Sequence, residues 1–205
     1  MHPNVHFMKI KEIEEMKSPR CVGTHLQWNM LPDDIVNNIK HPKMICVLRE
    51  SQDVCVSYYY HVKLSIGYDR DFDEFCDMFL GERVTYGSFW KNVLSYWEQR
   101  HRKNILFIKF EDLKKNLSFT IKSVANFLGK TYSNLEVERL CEHLSFESMK
   151  RNPSFNLKEF VKDGVNPFIR SGTVGSHRSI MCPEIIEKFA TKNKNYFEGT
   201  GISFV

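Results

Sequence analysis

Apolar residues are spaced along this chain in two different ways, which distinguishes predicted strands from predicted helices. Two short runs, residues 43–49 (KMICVLR) and 105–110 (ILFIKF), are apolar almost without interruption. Runs of this length are typical of strands that are buried on both faces of a parallel sheet. Elsewhere, apolar positions recur with the spacing of an amphipathic helix. The pattern predicts an α/β fold in which helices cover a parallel sheet.

Start and stop residues bound the predicted helices. Ser51 is a good N-cap for a helix over residues 53–65, with Asp53 in the first turn. The other predicted elements are a helix at 8–17 stopped by Pro19, a strand at 20–24, a short helix after Pro32 through Ile39, helices at 73–80 and 88–102, helical periodicity over 111–144 broken at Asn116, Gly129 and Ser133, an irregular region at 145–178, and a final helix from about Pro183. Two or three strands are few for a self-sufficient sheet.

The composition is that of a globular protein. The chain has 205 residues, of which 42% are hydrophobic and 26% are charged, which predicts one domain spanning residues 1–205. The sixteen phenylalanines exceed what the core of such a chain would need. A formal net charge of +4 is a mild excess of basic residues, which favours a local anion site over a nucleic-acid-binding face. We therefore expect no nucleic-acid partner.

The six cysteines show neither a CxxC motif nor the spacing of metal ligands. We expect reduced thiols, no metal site and a cytoplasmic location. The longest apolar runs, such as residues 44–48, are far shorter than the ~18–20 residues of a membrane span, so we expect no membrane association.

His25 is the first candidate for chemistry. It follows the strand predicted at residues 20–24, and α/β proteins bind ligands outside the carboxyl ends of their parallel strands. Because histidine titrates near neutral pH, a histidine in that place suits a general base. The alternative is a structural histidine that bonds to the backbone.

Arg49 is the second candidate, because it lies where a predicted strand ends and a helix begins. A guanidinium group and the free N–H groups of a helix N-terminus favour the same phosphate dianion. Ser57 lies further along the same helix. The alternative is a surface arginine that pairs with Glu50 or Asp53.

Two later segments complete the candidates. Residues 168–178 (FIRSGTVGSHR) place small residues and hydroxyls between arginines, which allows the backbone to approach an anion closely. The segment lacks GK[ST], so it is not a Walker A loop, and a flexible basic loop is the alternative. In residues 145–153 (SFESMKRNP), Phe146 and Met149 could stack on a flat base, although such pairs more often belong to a core.

Together these stretches resemble the cytosolic sulfotransferases, which transfer a sulfonate from 3′-phosphoadenosine-5′-phosphosulfate (PAPS) to a hydroxyl or an amine. Five segments match family motifs in the same order: SPRCVGTHLQWNMLP resembles SPR…KTHLP…LLP, VLRESQDVCVSYYYH resembles R(N/D)xKDVxVSYYH, FIKFEDLKKN resembles (Y/F)EDxKxN, LSFESMKRNPSFN resembles SFxxMKxNP, and FIRSGTVGSHRS resembles FxRKGxxGDWKN. The match runs from about Ser18 to the end of the chain.

The resemblance implies a role for each matching residue. His25 falls on the catalytic base, which takes the proton of the acceptor as it attacks sulfur. The residues that fall on the binding site of PAPS are Arg49 and Ser57 at the 3′-phosphate, Arg170, Ser171 and Gly172 in the loop that completes that clamp, Leu144, Phe146, Met149 and Phe168 around the adenine, and Phe110 near the ribose. The resemblance also implies a small apolar acceptor, such as a phenol, sterol, alcohol or amine, and no metal.

The chain departs from the family in several places. The family's first strand and its P-loop-like PKSGTTW segment have no counterpart here, so we expect a sulfotransferase fold without them. Gly23 replaces a lysine, Ser171 replaces the lysine of RKG, and residues 176–178 (SHR) stand where Asp-Trp-Lys is usual. The dimer motif KxxxTVxxxE is degenerate, which leaves homodimerisation open. The sequence is compatible with two functions. The chain either takes part in sulfonate transfer, or it is an inactive remnant that binds adenosine 3′,5′-bisphosphate or serves only as an interaction protein.

Overall fold

The computed structural model describes residues 10–153 and 169–204. Its helices and strands, in chain order, are α1 (Ile10–Glu15), α2 (Asp33–Val36), β1 (Met44–Leu48), α3 (Ser51–Ile66), α4 (Phe72–Leu80), α5 (Phe89–Trp97), β2 (Ile105–Lys109), α6 (Phe110–Lys115), α7 (Leu117–Leu128), α8 (Asn134–His143), α9 (Phe146–Arg151) and α10 (Pro183–Phe197). Short 3₁₀ turns at Trp28–Met30 and Ser176–Ser179 complete the described structure.

The two apolar runs form the predicted parallel strands. β1 and β2 pair in parallel from Met44 opposite Ile105 to Leu48 opposite Lys109. Within the described ranges these two strands make up the whole sheet. On one face of β1, Ile45 and Val47 are 40% and 59% exposed. The prediction of an α/β fold with a parallel sheet is therefore confirmed.

The strand predicted at residues 20–24 is wrong. These residues form no regular element, and all five are exposed to solvent. A strand needs a neighbour for its N–H and C=O groups, and neither β1 nor β2 pairs with this segment. Hydrogen bonds from α5 fix the position of His25 instead, as described below.

The prediction that Ser51 is the N-cap of α3 is also wrong. Glu50 occupies the cap position, and its backbone N–H donates to Glu111 Oε1 at 3.0 Å. Ser51 is the first helical residue, and its buried hydroxyl lies 2.9 Å from both Gln52 Oε1 and Asn193 Oδ1. The serine therefore joins α3 to α10, which is a long-range contact that a local capping rule does not include.

The breaks predicted in the helical region after β2 are confirmed. The Asn116 side chain accepts a hydrogen bond from the N–H of Phe119 at the start of α7. Gly129 ends α7 with a φ of 71°, in the left-handed region that glycine adopts without strain. Ser133 and Glu136 form a capping box at the start of α8. Local chemistry alone fixes these boundaries.

The hydrophobic core lies where α10 packs against α3, α4 and α5. Trp90 is fully buried, and its ring lies 5.5 Å from that of Phe79 and 6.1 Å from that of Phe189. Its indole N–H donates to Asn193 Oδ1 at 2.7 Å. The phenylalanines buried in this core are Phe75, Phe79, Phe189 and Phe197. Four of the sixteen phenylalanines are therefore buried in this core.

All six cysteines are free thiols in the structure. Cys55 and Cys76 are fully buried, with their sulfurs 3.8 Å apart, and burial raises the pKa of the Cys55 thiol. In the described part of the chain, no helix is both long and apolar enough to cross a membrane.

Glu82 holds the turn between α4 and α5 to α10. Its φ of 60° is unusual for a residue other than glycine. Its carboxylate lies 2.8 Å from Lys91 Nζ and 2.9 Å from Lys192 Nζ, and it accepts a hydrogen bond from the Tyr196 hydroxyl at 2.6 Å. Burial alone would raise the pKa of Glu82, but these three partners lower it to about 2.

We expect Glu82→Gln to lower the free energy of unfolding by about 1–2 kcal/mol at neutral pH, a value reduced from the full pKa shift because solvent screens the pairs. The lowered pKa means that Glu82 stabilises the fold fully above its ordinary pKa of 4.5 and loses this effect as the pH falls towards about 2. Urea unfolding at neutral and acidic pH measures the difference. Glu187→Gln, on the exposed side of α10, is the control, and an equal loss at both pH values would contradict the assignment.

Candidate functional site

A single carboxylate joins the start of α3 to the segment that precedes α10. Asp53 is fully buried in the first turn of α3. It accepts hydrogen bonds from the N–H groups of Gly175 and His177 at 2.7 and 3.1 Å, and from the Ser176 hydroxyl at 3.2 Å. The imidazole Nδ1 of His177 lies 2.9 Å from the same carboxylate. Residues far apart in the sequence thus meet at the N-terminus of α3.

The environment of Asp53 keeps its carboxyl group ionised. Burial by itself raises the pKa of Asp53, but the hydrogen bonds from His177 and Gly175, together with the charge of Arg49, lower it below its ordinary value. An ionised carboxylate can only accept hydrogen bonds. His177 Nδ1 is therefore the donor of the bond between the two side chains.

Arg49 lies at the carboxyl end of β1, where the sequence predicted an anion clamp. Its guanidinium carbon is 4.2 Å from the centre of the Phe110 ring, and Nη2 donates to the Thr173 carbonyl at 3.2 Å. Nη2 also lies 3.5 Å from Asp53 Oδ2, so the pairing named as the alternative is present as a long contact. Nε is buried and has no hydrogen-bond partner among the described residues. The arginine is 20% exposed and is held in place by its neighbours.

One side of α3 faces the segment that contains Arg170. Asp53, Ser57 and Tyr60 are spaced four and three residues apart, so they lie on the same side of the helix. The Arg170 guanidinium carbon is 4.5 Å from the centre of the Tyr60 ring. Ser57, which lies between Asp53 and Tyr60, is exposed. Arg49 and Arg170 therefore lie along one side of α3, each over an aromatic ring.

The residues predicted in the phosphate loop and around the adenine differ in their contacts and exposure. Gly172 has a φ of 60°, and a Cβ added to it would lie 2.3 Å from Cδ2 of Phe146, so this glycine packs directly on the Phe146 ring. Ser171 accepts a hydrogen bond from the Thr173 hydroxyl at 3.1 Å. Met149 is half-buried in α9 and Leu144 is exposed after α8. Phe168 lies outside the described residues.

Side chains of α5 hold the loop that carries His25. The backbone carbonyls of His25 and Leu26 accept hydrogen bonds from Asn92 Nδ2 at 3.0 Å and from the Tyr96 hydroxyl at 2.9 Å. The N–H of Trp28 donates to Ser95 Oγ at 3.0 Å. The three α5 residues share one side of that helix. The imidazole of His25 is exposed, while its backbone is fixed.

Aromatic rings connect His25 to α3. The Tyr86 ring lies 4.5 Å from the His25 ring and stacks on Tyr58 at 5.9 Å. Tyr58 in turn stacks on His61, one turn later in α3, at 6.2 Å. Burial, and to a smaller extent the charge of His25, lowers the pKa of His61. These four rings, His25, Tyr86, Tyr58 and His61, are called the histidine cluster below.

Sequence reasoning missed several of these contacts. It placed Asp53 in the first turn of a helix, but not as the acceptor for residues 175–177. It did not identify Tyr60 as a neighbour of Arg170, and it did not identify Tyr86 as a neighbour of His25. The spacing of Asp53, Ser57 and Tyr60 on one helix side could have indicated a shared partner, whereas nothing local pointed to Tyr86. No group of three or more metal-ligating residues occurs in the described ranges.

Comparisons with known proteins agree with this architecture. The chain is 38% identical over 204 residues to luciferin sulfotransferase of Photinus pyralis, covering 96% of this chain and 55% of that protein. It is 33% identical over 206 residues to sulfotransferase 1E1 of Bos taurus, covering 97% of this chain and 69% of that protein. The chain thus spans little more than half to about two thirds of the length of these relatives.

Two solved structures have a similar fold. Retinol dehydratase in complex with androsterone and the inactive cofactor PAP matches with a TM-score of 0.86 and 29% identity, over 94% of this chain and 58% of that chain. A mouse sulfotransferase in complex with PAP matches with a TM-score of 0.79 and 27% identity, over 92% of this chain and 69% of that chain. The sequence model of the sulfotransferase domain matches residues 3–201. This chain belongs to the sulfotransferase family.

Proposed function

We propose that this chain supplies the 3′-phosphate clamp and the general base of an enzyme that transfers a sulfonate from PAPS to a hydroxyl or amine of a small apolar acceptor. The observation that carries the proposal is that Arg49 and Arg170 both lie along one side of α3. A guanidinium group at the N-terminus of α3 and a second one further along the same side of the helix can balance a phosphate that carries about two negative charges.

The side chains at this place suit a 3′-phosphorylated nucleotide. Arg49 keeps a buried Nε donor without a partner among the described residues, and Ser57 presents a hydroxyl on the same side of α3. The ring of Phe146 is a flat apolar surface for a purine, and the ammonium groups of Lys114 and Lys150 lie 5.7 and 5.8 Å from its centre. We assign Arg49, Ser57 and Arg170 to the phosphate and Phe146 to the base.

The remaining predicted residues complete the binding site in this proposal. Ser171 and Gly172 belong to the loop at the phosphate. The Phe110 ring packs against the guanidinium group of Arg49. Leu144, Met149 and Phe168 are assigned to the surroundings of the adenine, on the family resemblance alone. PAPS supplies the sulfonate group when it is bound.

His25 is proposed to remove the proton from the acceptor. Its backbone is held by α5, while its ring is exposed beside Tyr86, which leaves the imidazole accessible to a hydroxyl or an amine. A positioned base of this kind contributes about 100- to 10,000-fold to a rate. The proton passes to a ring nitrogen of His25.

The surroundings of His25 favour an aromatic or otherwise flat acceptor. The Tyr86 ring lies beside His25 and stacks on Tyr58, and the apolar side chains of Val22, Leu26 and Met30 are exposed in the same loop. Flat apolar molecules stack on such surfaces. Phenols and sterols have this shape, and the names of two similar proteins, luciferin sulfotransferase and a retinol dehydratase bound to androsterone, point to molecules of the same kind.

Titration calorimetry with adenosine 3′,5′-bisphosphate tests the phosphate clamp. We expect binding by the unmodified chain and an affinity about 30- to 100-fold lower for Arg170→Ala, because a charge-assisted pair with the phosphate is lost. Arg139→Ala, which removes an exposed arginine from α8, is the matched control. Absence of binding by the unmodified chain would refute the proposed function.

Nucleotide binding without transfer is a second candidate. It is favoured by Gly23, which provides no cation two residues before His25, where the family has a lysine. A transfer assay with PAPS and a phenol, run beside the titration, separates the two functions. Binding together with transfer supports the enzyme, and binding alone supports the nucleotide-binding protein.

A further inference from the structure

We propose that the buried pair of Asp53 and His177 is a latch that positions the Arg170–Gly172 segment for the 3′-phosphate, so that Asp53 and His177 are positioning residues. The inference deepens the proposed function and rests on it. The two residues do not reach the nucleotide themselves. They act by fixing the chain that follows Gly172 against the N-terminus of α3.

Both carboxylate oxygens of Asp53 take part in the hydrogen bonds of the latch. Oδ1 of Asp53 lies within hydrogen-bond distance of the backbone N–H and the imidazole Nδ1 of His177 and of the Ser176 hydroxyl. Oδ2 accepts the N–H of Gly175 at 2.7 Å. The side chain of His177 is 4% exposed and that of Asp53 is 0% exposed. Solvent therefore cannot replace these bonds unless the segment moves.

The latch contacts Arg49 in the proposed phosphate clamp and lies on the same side of α3 as the ring under Arg170. Asp53 Oδ2 lies 3.5 Å from Arg49 Nη2, and the same nitrogen donates to the carbonyl of Thr173. Asp53 also shares its side of α3 with Tyr60, which lies under Arg170. Loss of the contacts at residues 175–177 would release the downstream end of the segment that presents Arg170. The arginine would then have to be ordered again each time a phosphate binds, which lowers affinity.

Ser176 and His177 stand where the family usually has Asp-Trp. Both side chains hydrogen-bond to Asp53, so this chain strengthens the junction with two polar bonds of its own. A buried hydrogen bond to a charged group contributes more than one between neutral groups, and a buried carboxylate that loses a donor is destabilised. The imidazole of His177 is therefore the part of the latch whose removal should be measurable.

The test compares His177→Leu with His177→Asn in the full 205-residue chain. Asparagine can place its amide nitrogen close to where the imidazole Nδ1 stands, whereas leucine offers no donor. Calorimetry measures the affinity for adenosine 3′,5′-bisphosphate and for 5′-AMP, which lacks the 3′-phosphate. Limited trypsin digestion measures the rate of cleavage after Arg170 and Arg178. His101→Leu, at an exposed histidine, is the matched control.

For His177→Leu we expect the affinity for adenosine 3′,5′-bisphosphate to fall by about tenfold, the affinity for 5′-AMP to remain the same, and cleavage after Arg170 or Arg178 to become faster by about tenfold. His177→Asn should restore most of both effects. An equal loss for the two nucleotides, or no loss for either, overturns the latch. Failure of the unmodified chain to bind adenosine 3′,5′-bisphosphate overturns the proposed function itself, and this result is distinct from both.

Discussion

His25→Ala should lower the rate of sulfonate transfer by about 100- to 10,000-fold, in a form of the protein that transfers sulfonate from PAPS, while the affinity for adenosine 3′,5′-bisphosphate stays unchanged. The His25 imidazole is the proposed proton acceptor and lies in the histidine cluster. The nucleotide affinity is assigned to the phosphate clamp, which contains Arg49 and Arg170 and not His25. Initial rates with a phenolic acceptor and titration with the nucleotide measure the two quantities.

His41→Ala is the matched control for this prediction, because His41 is an exposed histidine that belongs neither to the histidine cluster nor to the proposed phosphate clamp. An unchanged rate in His25→Ala would refute the assignment of the base. A joint fall in rate and nucleotide affinity would instead mean that the loop held by α5 has moved. Tryptophan fluorescence of Trp28, which lies in that loop, reports such a movement.

Arg49→Ala should weaken the binding of adenosine 3′,5′-bisphosphate by about 100-fold or more and leave the binding of 5′-AMP within about threefold. The guanidinium group is fixed from three directions, by the ring of Phe110, the carbonyl of Thr173 and the carboxylate of Asp53. A cation that is already ordered loses little entropy when it meets a phosphate. Arg49→Lys should recover only part of the affinity, because lysine keeps the charge without the planar fork.

Arg100→Ala is a suitable control, because Arg100 is also an arginine over an aromatic ring, 5.4 Å from the centre of Trp97, but lies on another part of the surface. If Arg49→Ala weakened both nucleotides equally, Arg49 would act on the fold and not on the 3′-phosphate. Thermal unfolding of the two variants, measured in parallel, identifies that case.

Much of the fold follows from local rules. The positions of β1 and β2 follow from uninterrupted apolar runs, and Asn116, Gly129 and Ser133 end or begin helices through bonds within a few residues. Each of these features depends on side chains close together in the sequence. They could therefore be predicted without knowledge of the tertiary structure.

The failed predictions share a different cause. Residues 20–24 have an extended sequence pattern but no strand beside them among the described residues, and Ser51 does not cap α3 but reaches Asn193 in α10. In each case a partner distant in the sequence decides the outcome. A local pattern cannot supply that information.

The candidate site divides in the same way. Arg49, Ser57 and Arg170 are recognisable as anion-binding residue types in suitable places, and the family resemblance strengthens their assignment. Asp53 and Tyr60 order the arginines through the packing of residues 169–179 against α3, and Phe110, at the start of α6, contacts Arg49 just after β1. Residue types can therefore be predicted from the sequence, but the groups that hold them in place cannot.

The two proposed halves of the site, the phosphate clamp and the histidine cluster, both use side chains of α3. Ser57 and Tyr60 face the clamp, whereas Tyr58 and His61 belong to the histidine cluster. A helix turns by about 100° and rises about 1.5 Å per residue. One residue inserted between Ser57 and Tyr58 would therefore rotate Tyr58, Tyr60 and His61 together by about 100° relative to Ser57, so Tyr60 would no longer lie on the same side of the helix as Ser57. Because the spacing within this helix is fixed, we expect that, among the described residues, the loops around His25 and Tyr86 adjust the proposed site to acceptors of different size.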